Sequence, residues 1–179
     1  MEESSKKPKS TAKIKLDSDK IKTFFISHLS RIYAAKTHLV GRLPKLADEV
    51  KYADLHNAIV ETVNDVEKQI ARMEVIFELL DASISTQGCL GITGLVDDAF
   101  AAIDQQDEPE LRDLSIIFYM QNIESVEMAS FQILQMAAVK LKNKQIKQLL
   151  TENYQEAKAD RTLMLLIAAK YVTASPDAS

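Results

Sequence analysis

Two glutamates, Glu124 and Glu127, lie three residues apart in a segment whose other regularly spaced positions are apolar. Residues at this spacing share one face of a helix, so the two carboxylates point the same way. A buried carboxylate needs an opposite charge or a metal ion, because burying an unpaired charge is costly. The alternative is that both acids lie on a solvated helix face. The apolar residues around them are Met120, Ile123, Met128 and Phe131.

Three other segments also carry polar residues where the helical pattern asks for apolar ones. Lys36 follows Ile32 by four residues and precedes Leu39 by three, which places an amine on an apolar stripe. The other polar positions are Thr62 and Asp65 in one segment and Asn153, Glu156 and Asp160 in another. If the helices pack antiparallel, these groups meet at one level of the core.

Helical periodicity predicts the elements that position these residues. Helix A opens at Asp17 or Ser18 and is expected to kink at Pro44, because the apolar pattern continues to Val50. The remaining elements are helix B at 54–80, a loop at 81–90, a short helix at 92–103, helix C at 109–141 and helix D at 144–171. The long B-to-C connection lets C run parallel to B, as a crossover bundle requires.

Composition favours one all-α domain with two short tails. The chain has 179 residues, 46% of them hydrophobic and 27% charged, and only four Gly and four Pro interrupt it. We interpret residues 1–16 as a disordered basic arm, 17–172 as the bundle and 173–179 as a polar tail. The acidic body disfavours nucleic-acid binding, and no apolar run is long enough to span a membrane. A lone cysteine, Cys89, fits a cytoplasmic protein.

The polar layer points to carboxylate-bridged metal chemistry. Two-metal bundles take a Glu from each of two helices and a Glu-x-x-His motif from each of the other two, and their oxygen-rich sites bind iron or manganese. No Glu-x-x-His motif occurs in this chain. The histidines, His28, His38 and His56, fall outside the predicted layer. No nucleophile–base arrangement or phosphate loop supports hydrolase, kinase or dehydrogenase chemistry.

The order and spacing of several segments resemble the YciF-like family of bacterial, stress-associated, ferritin-like proteins. These segments are 32–35, 43–47, 69–74, 77–80, 89–95, 121–129, 149–150 and 156–159. The resemblance implies a ferritin-like four-helix bundle with a short extra helix in the B–C crossover. It also implies a homodimer, and a two-metal site at mid-bundle in typical members. It assigns no substrate.

Several ligand positions depart from the family pattern. Typical members carry Glu at the position of Lys36, His at that of Thr62 and an acid at that of Arg161. The neighbouring acid is shortened to Asp65, Ser125 stands where a His is expected, and Ala157 interrupts an acidic run. The vestigial metal ligands are Glu124, Glu127, Glu156 and Asp65.

Replacing an acid by Lys36 changes the local charge by two units and repels a divalent ion by several kcal/mol at ~4–6 Å. We therefore predict that Lys36, together with Arg161, forms ion pairs with Glu124, Glu127 or Glu156 in place of metal. The alternative is that the Lys36 stem extends to the surface and its amine contacts nothing in the core.

Three functions remain open on the sequence. The first is a non-catalytic scaffold or interaction protein that needs no cofactor. The second is a di-iron or di-manganese protein acting in oxidation or iron handling, with Asp160 or His38 in support of the vestigial ligands. The third is a bundle that binds a small apolar ligand in a Met-rich core, lined by Met73, Met120, Met128 and Met136.

Overall fold

The computed structural model describes residues 17–85, 87 and 89–173, and these form helices and connecting turns, with no strand. The helices are α1 (Ser18–Val40), α2 (Leu43–Glu49), α3 (Ala53–Leu79), α4 (Leu90–Asp104), α5 (Pro109–Leu141) and α6 (Lys144–Thr173). The predicted all-α bundle with a short helix in the crossover is confirmed. The predicted basic arm, 1–16, and residues 174–179 of the predicted tail lie outside the described residues.

The first helix begins and ends at residues that explain its length. The Asp17 side chain caps α1 by accepting a hydrogen bond from the Lys20 backbone N–H at 2.8 Å. The predicted kink at Pro44 was wrong. The helix ends at Val40, and α2 begins at Leu43 with Pro44 in its first turn. A helix does not need the N–H that proline lacks at that position, so Pro44 starts a new helix.

The four long helices form a ring in which α1 contacts α3 and α5, and α6 contacts the same two helices. The short α4 packs against α1 and α5, and α2 packs against α3. A tight turn joins α5 to α6. Lys142 adopts a left-handed backbone, and the Asn143 side chain accepts hydrogen bonds from the first amides of α6 at 3.0 and 3.1 Å. These two helices therefore run antiparallel.

The apolar core is divided into two clusters along the bundle axis. One contains α2, α4 and the adjoining ends of the long helices, with Leu39, Ile59, Met120 and Met164 at its inner edge. The other contains Ile32, Met73, Phe131 and Leu150 at its inner edge. Buried polar residues fill the level between the clusters. Among the described helices, none is both long and apolar enough to cross a membrane.

Candidate metal centre

A polar layer separates the two apolar clusters. Every long helix contributes to it, because the apolar stripe of each helix is interrupted by polar residues at about the same position along the bundle axis. We define this layer by seven residues, each at most 3% exposed: Lys36, Thr62, Gln69, Glu124, Glu127, Asn153 and Asp160. It contains one amine and three carboxyl groups. Whether the layer can bind a metal ion depends on how the amine and the three carboxyl groups are paired.

The amine of Lys36 lies wholly inside the bundle. Its Nζ forms an ion pair with Glu127 Oε2 and lies 6.0 Å from the centre of the Phe131 ring. Burial by itself lowers the pKa of the Lys36 amine. The adjoining carboxylates of Glu127 and Glu124 outweigh that effect, and the pKa stays above its ordinary value. Lys36 is therefore a fixed cation in the core, and it does not extend to the surface.

Glu124 is the most isolated acid of the layer. Its side chain is fully buried, and neither carboxyl oxygen has a hydrogen-bond partner among the described residues. Burial, followed by the charge of Glu127, holds the pKa of Glu124 well above its ordinary value. Both effects favour the neutral, protonated form of the Glu124 carboxyl group.

Asp160 brings a third carboxyl group from α6. Burial, together with the nearby charge of Asp65, raises the pKa of Asp160 to about 7. Its Oδ2 has no partner among the described residues. Burial favours the protonated form of both Glu124 and Asp160, whereas Lys36 and Glu127 form an ion pair.

The neutral members of the layer come from α3 and α6. Asn153 Nδ2 donates to the backbone carbonyl of Gln69 at 3.3 Å. Within the described part of the chain, the Gln69 amide and the Thr62 hydroxyl are buried without a hydrogen-bond partner. Unpartnered buried polar atoms of this kind are usually hydrated.

Glu156, which was predicted as a site residue on helix D, lies at the edge of the layer and pairs with Arg72. The Arg72 guanidinium forms a two-pronged contact with Glu156, at 2.6 and 2.7 Å, and reaches Glu152 at 3.1 Å. Of the three acids predicted as partners of Lys36, the structure pairs Glu127 with it, and Glu156 pairs with Arg72. A planar guanidinium matches both oxygens of a carboxylate, so Arg72 satisfies Glu156 without help from Lys36.

Arg161 and Asp65 also differ from expectation. Arg161 Nε donates to the Ser125 hydroxyl at 2.8 Å, so its predicted ion pair with the core acids is not formed. Its side chain is partly exposed, where water competes with ion pairing. Asp65 lies at the edge of the bundle and pairs with Lys68 at 2.8 Å. Neither residue joins the Lys36–Glu127 pair.

The histidines stay outside the layer, as predicted. His38 Nε2 lies 2.7 Å from Asp97 on α4, and His56 Nδ1 lies 2.9 Å from the Ala47 carbonyl. The His28 ring packs against Phe24 with centroids 4.3 Å apart. His38 therefore gives no support to a metal site in the core.

These residues do not fit a two-metal centre. A fixed ammonium group occupies one face of Glu127, and Arg72 occupies both oxygens of Glu156. Across residues 17–85, 87 and 89–173, no three His, Cys, Asp or Glu side chains are grouped so that they could hold a metal ion. The carboxylates of Glu127 and Glu156 are thus already paired with cationic side chains of the chain itself.

Sequence reasoning missed two residues of the site, Gln69 and Arg72. Gln69 lies seven residues after Thr62 and four before Met73, so the apolar stripe of α3 already passed through it. Arg72 has no such signal. Its role depends on reaching across to α6, which periodicity within one helix does not reveal.

The chain resembles known proteins along most of its length. Residues 20–175 match the model of a domain of unknown function, DUF892. Protein YciF of Escherichia coli strain K12 is 30% identical over 140 residues, which cover 78% of this chain and 84% of that protein.

Solved structures agree with that match. The crystal structure of the E. coli stress protein YciF superposes with a TM-score of 0.81 at 28% identity, covering 87% of this chain and 98% of that one. YcfI from Rhodopseudomonas palustris superposes with a TM-score of 0.75 at 26% identity, covering 87% of this chain and 94% of that one.

Proposed function

The chain belongs to the YciF-like family that the DUF892 domain defines, and from that premise we propose that it is a non-catalytic, ferritin-like scaffold or interaction protein. In this proposal Lys36 takes the place of the metal centre that typical relatives carry. The protein works without a cofactor in the cytoplasm and associates with a second copy of itself. A stress-associated role is carried over from the description of the E. coli relative.

The buried Lys36–Glu127 ion pair is the observation that carries this proposal. A divalent ion next to Glu127 would lie within a few ångströms of the ammonium group. Mutual repulsion at ~4 Å is several kcal/mol even at the effective dielectric of a protein interior. Loading metal therefore requires Lys36 to lose its proton or leave the core, and the raised pKa of Lys36 opposes the first route.

Metal analysis of the purified chain tests the proposal. The wild-type protein, incubated with Fe²⁺ or Mn²⁺ and then desalted, is expected to retain far less than one ion per chain. Lys36→Glu restores an acid at the position where typical relatives have one, and it is expected to raise iron retention and to lower the stability of the metal-free form. Lys36→Met is the matched control, because it removes the ammonium without supplying a ligand.

About two irons per wild-type chain, with absorbance changes on exposure to oxygen, would overturn the scaffold proposal. That outcome is the second candidate function, a di-iron or di-manganese protein acting in oxidation or iron handling. One observation favours it: both oxygens of Glu124 and one of Asp160 lack partners among the described residues. Equal retention by wild type, Lys36→Glu and Lys36→Met would remove the role given to Lys36.

A further inference from the structure

The outer face of α5 carries no charge from Leu114 to Val139. Glu124 and Glu127 are the sole Asp, Glu, Lys or Arg residues in this span, and both are buried. The exposed positions, which we call the neutral strip, are Leu114, Phe118, Asn122, Val126, Ala129, Gln132, Ile133, Met136 and Val139. Seven of these nine are apolar, and the other two are amides.

The strip is continuous along the helix. Apart from Gln132, which adjoins Ile133, its members follow one another at steps of three or four residues, the spacing of a helix face that packs against another helix. Phe118 is 60% exposed and Met136 is 68% exposed. The other long helices carry charges at exposed positions, for example Arg31, Glu61 and Lys158. A contiguous apolar surface of this length marks an interaction site.

A groove adjoins the middle of the strip. It encloses about 420 Å³ between α1 and α5, and its walls are apolar, with Phe24 and Ile32 on one side and Ala129, Ile133 and Leu134 on the other. The small side chain of Ala129 leaves space for a bulky residue from outside. The strip runs for about 38 Å along α5, and the groove widens it between Val126 and Leu134.

The two ends of α5 carry opposite charges. Asp107, Glu108 and Glu110 are exposed at its start, where Glu110 is already paired with Lys51, and Lys140, Lys142 and Lys144 are exposed at its end. A second α5 laid antiparallel brings acids opposite lysines at both ends, whereas a parallel arrangement sets like charges against each other. Glu108 and Lys144 are equally far from Val126 in sequence.

We infer that the neutral strip is the interface of a two-fold symmetric dimer of this chain, with the two α5 helices antiparallel about Val126. This inference rests on the self-association in the proposed function and names the surface that makes it. Phe118 precedes Val126 by as many residues as Leu134 follows it, so Phe118 of the second copy faces the groove wall at Leu134 and fills the groove. A two-fold axis uses the same patch on both copies, which a strip without charge allows.

Other occupants fit less well. A helix that lies on a membrane surface carries Lys or Arg beside its apolar face, and α5 has neither on any face between Leu114 and Val139. A foreign protein would have to match both the neutral middle and the opposite charges at the two ends. A second copy satisfies both conditions by symmetry.

Sedimentation of the full chain with point variants tests this interface. Phe118→Glu and Ile133→Glu place charges on the strip and are expected to weaken dimerisation at least about tenfold. Leu166→Glu is the matched control, because Leu166 is 63% exposed on α6 and lies outside the strip. It should leave the dimer unchanged. Circular dichroism verifies that each variant stays helical.

Disulfide trapping provides a second readout that does not weaken the dimer. In a Cys89→Ser background, Val126→Cys is expected to form a covalent dimer on mild oxidation, and Leu166→Cys is not. A wild-type chain that is monomeric, or a dimer that neither the strip variants nor Val126→Cys affects, would overturn the interface. Metal counting is independent of both readouts: two irons per chain in a strip-dependent dimer would refute the metal-free scaffold and leave the interface standing.

Discussion

The inner and outer sides of α5 have opposite and unusual polarity. The inner side buries two glutamates where a bundle normally has apolar residues, and the outer side exposes Phe118, Ile133 and Met136 where it normally has charges. An ordinary surface helix places its apolar stripe inward and its charges outward. In α5 the polarity of each side instead matches what that side contacts. The inner glutamates face Lys36, and we propose that the outer apolar residues face a second molecule.

The two sides differ in their energetics. On the inner side the interactions are within one chain and electrostatic, because the Lys36 amine offsets the Glu127 carboxylate and burial favours the neutral form of Glu124. On the outer side the proposed stabilisation comes from hydrophobic contact between two molecules, so it depends on protein concentration. Variants that act on one side should therefore leave the other unaffected.

Lys36→Met should produce the largest change. It leaves Glu127 buried without its cation, and breaking a buried pair by removing one partner costs about 3–5 kcal/mol. The free energy of unfolding, measured by urea denaturation at neutral pH, should fall by that amount. A loss below about 1 kcal/mol would mean that Glu127 finds another partner or water on its own.

The double variant Lys36→Met with Glu127→Leu is the control for that prediction. With both charges removed, the layer gains an apolar contact and should recover most of the lost stability. A double variant as unstable as Lys36→Met alone would show that packing around the Lys36 stem, and not charge, causes the loss.

The dependence of stability on pH should come next in size. The folded state binds protons at Glu124 and Asp160 that the unfolded chain releases, because the pKa of Asp160 rises from 3.8 to about 7 and that of Glu124 rises too. Stability must therefore fall as the pH rises from about 4 to about 7. The free energy of unfolding should be about 2–3 kcal/mol lower at pH 8 than at pH 5.

Lys36 does not contribute to that slope. Its pKa is raised above 10.5, so its stabilising charge is lost only in strongly alkaline solution. Asp160→Asn is the control, because the amide has a similar shape and cannot titrate. The variant should flatten the slope between pH 5 and pH 8, and an unchanged slope would assign the effect to other groups.

The helices and the position of the polar layer along the bundle could be predicted from the sequence, but the ion pairs within the layer could not. The bounds of α5 were predicted correctly, since Pro109 fits a first turn and Asn143 caps the next helix. The polar layer was visible as interruptions of apolar stripes. Lys36 could be placed in the core by its spacing, but its choice of Glu127 over Glu124 depends on side-chain rotamers and helix phase.

The errors have the same origin. Arg72 pairs with Glu156 because α3 and α6 are adjacent, and that adjacency is a property of the ring of helices. Pro44 was expected to kink a continuous helix because the apolar pattern continued beyond it. The pattern continues equally well through a turn followed by a new helix, so periodicity alone does not distinguish the two.

Arg72→Met should have an intermediate effect on stability. It removes the two-pronged contact with Glu156 at the partly exposed edge of the layer, where water can still solvate the remaining carboxylate. The expected loss is about 1–2 kcal/mol in urea denaturation. Arg72→Lys retains the charge without the planar fork and should recover less than half of the loss. Full recovery by Lys would mean that charge, and not geometry, is what matters at this edge.

Ile133→Glu should have the smallest effect on the folding of the single chain. Ile133 is 51% exposed, so a charged side chain at this position remains in water, and surface changes of this kind usually alter the free energy of unfolding by less than about 0.5 kcal/mol. The measurement must be made at concentrations where the chain is monomeric, so that the loss of the proposed dimer does not enter. A loss above about 2 kcal/mol under those conditions would place Ile133 among the packing residues of its own chain. The outer side of α5 would then stabilise the bundle as the inner side does, and the contrast between the two sides would disappear.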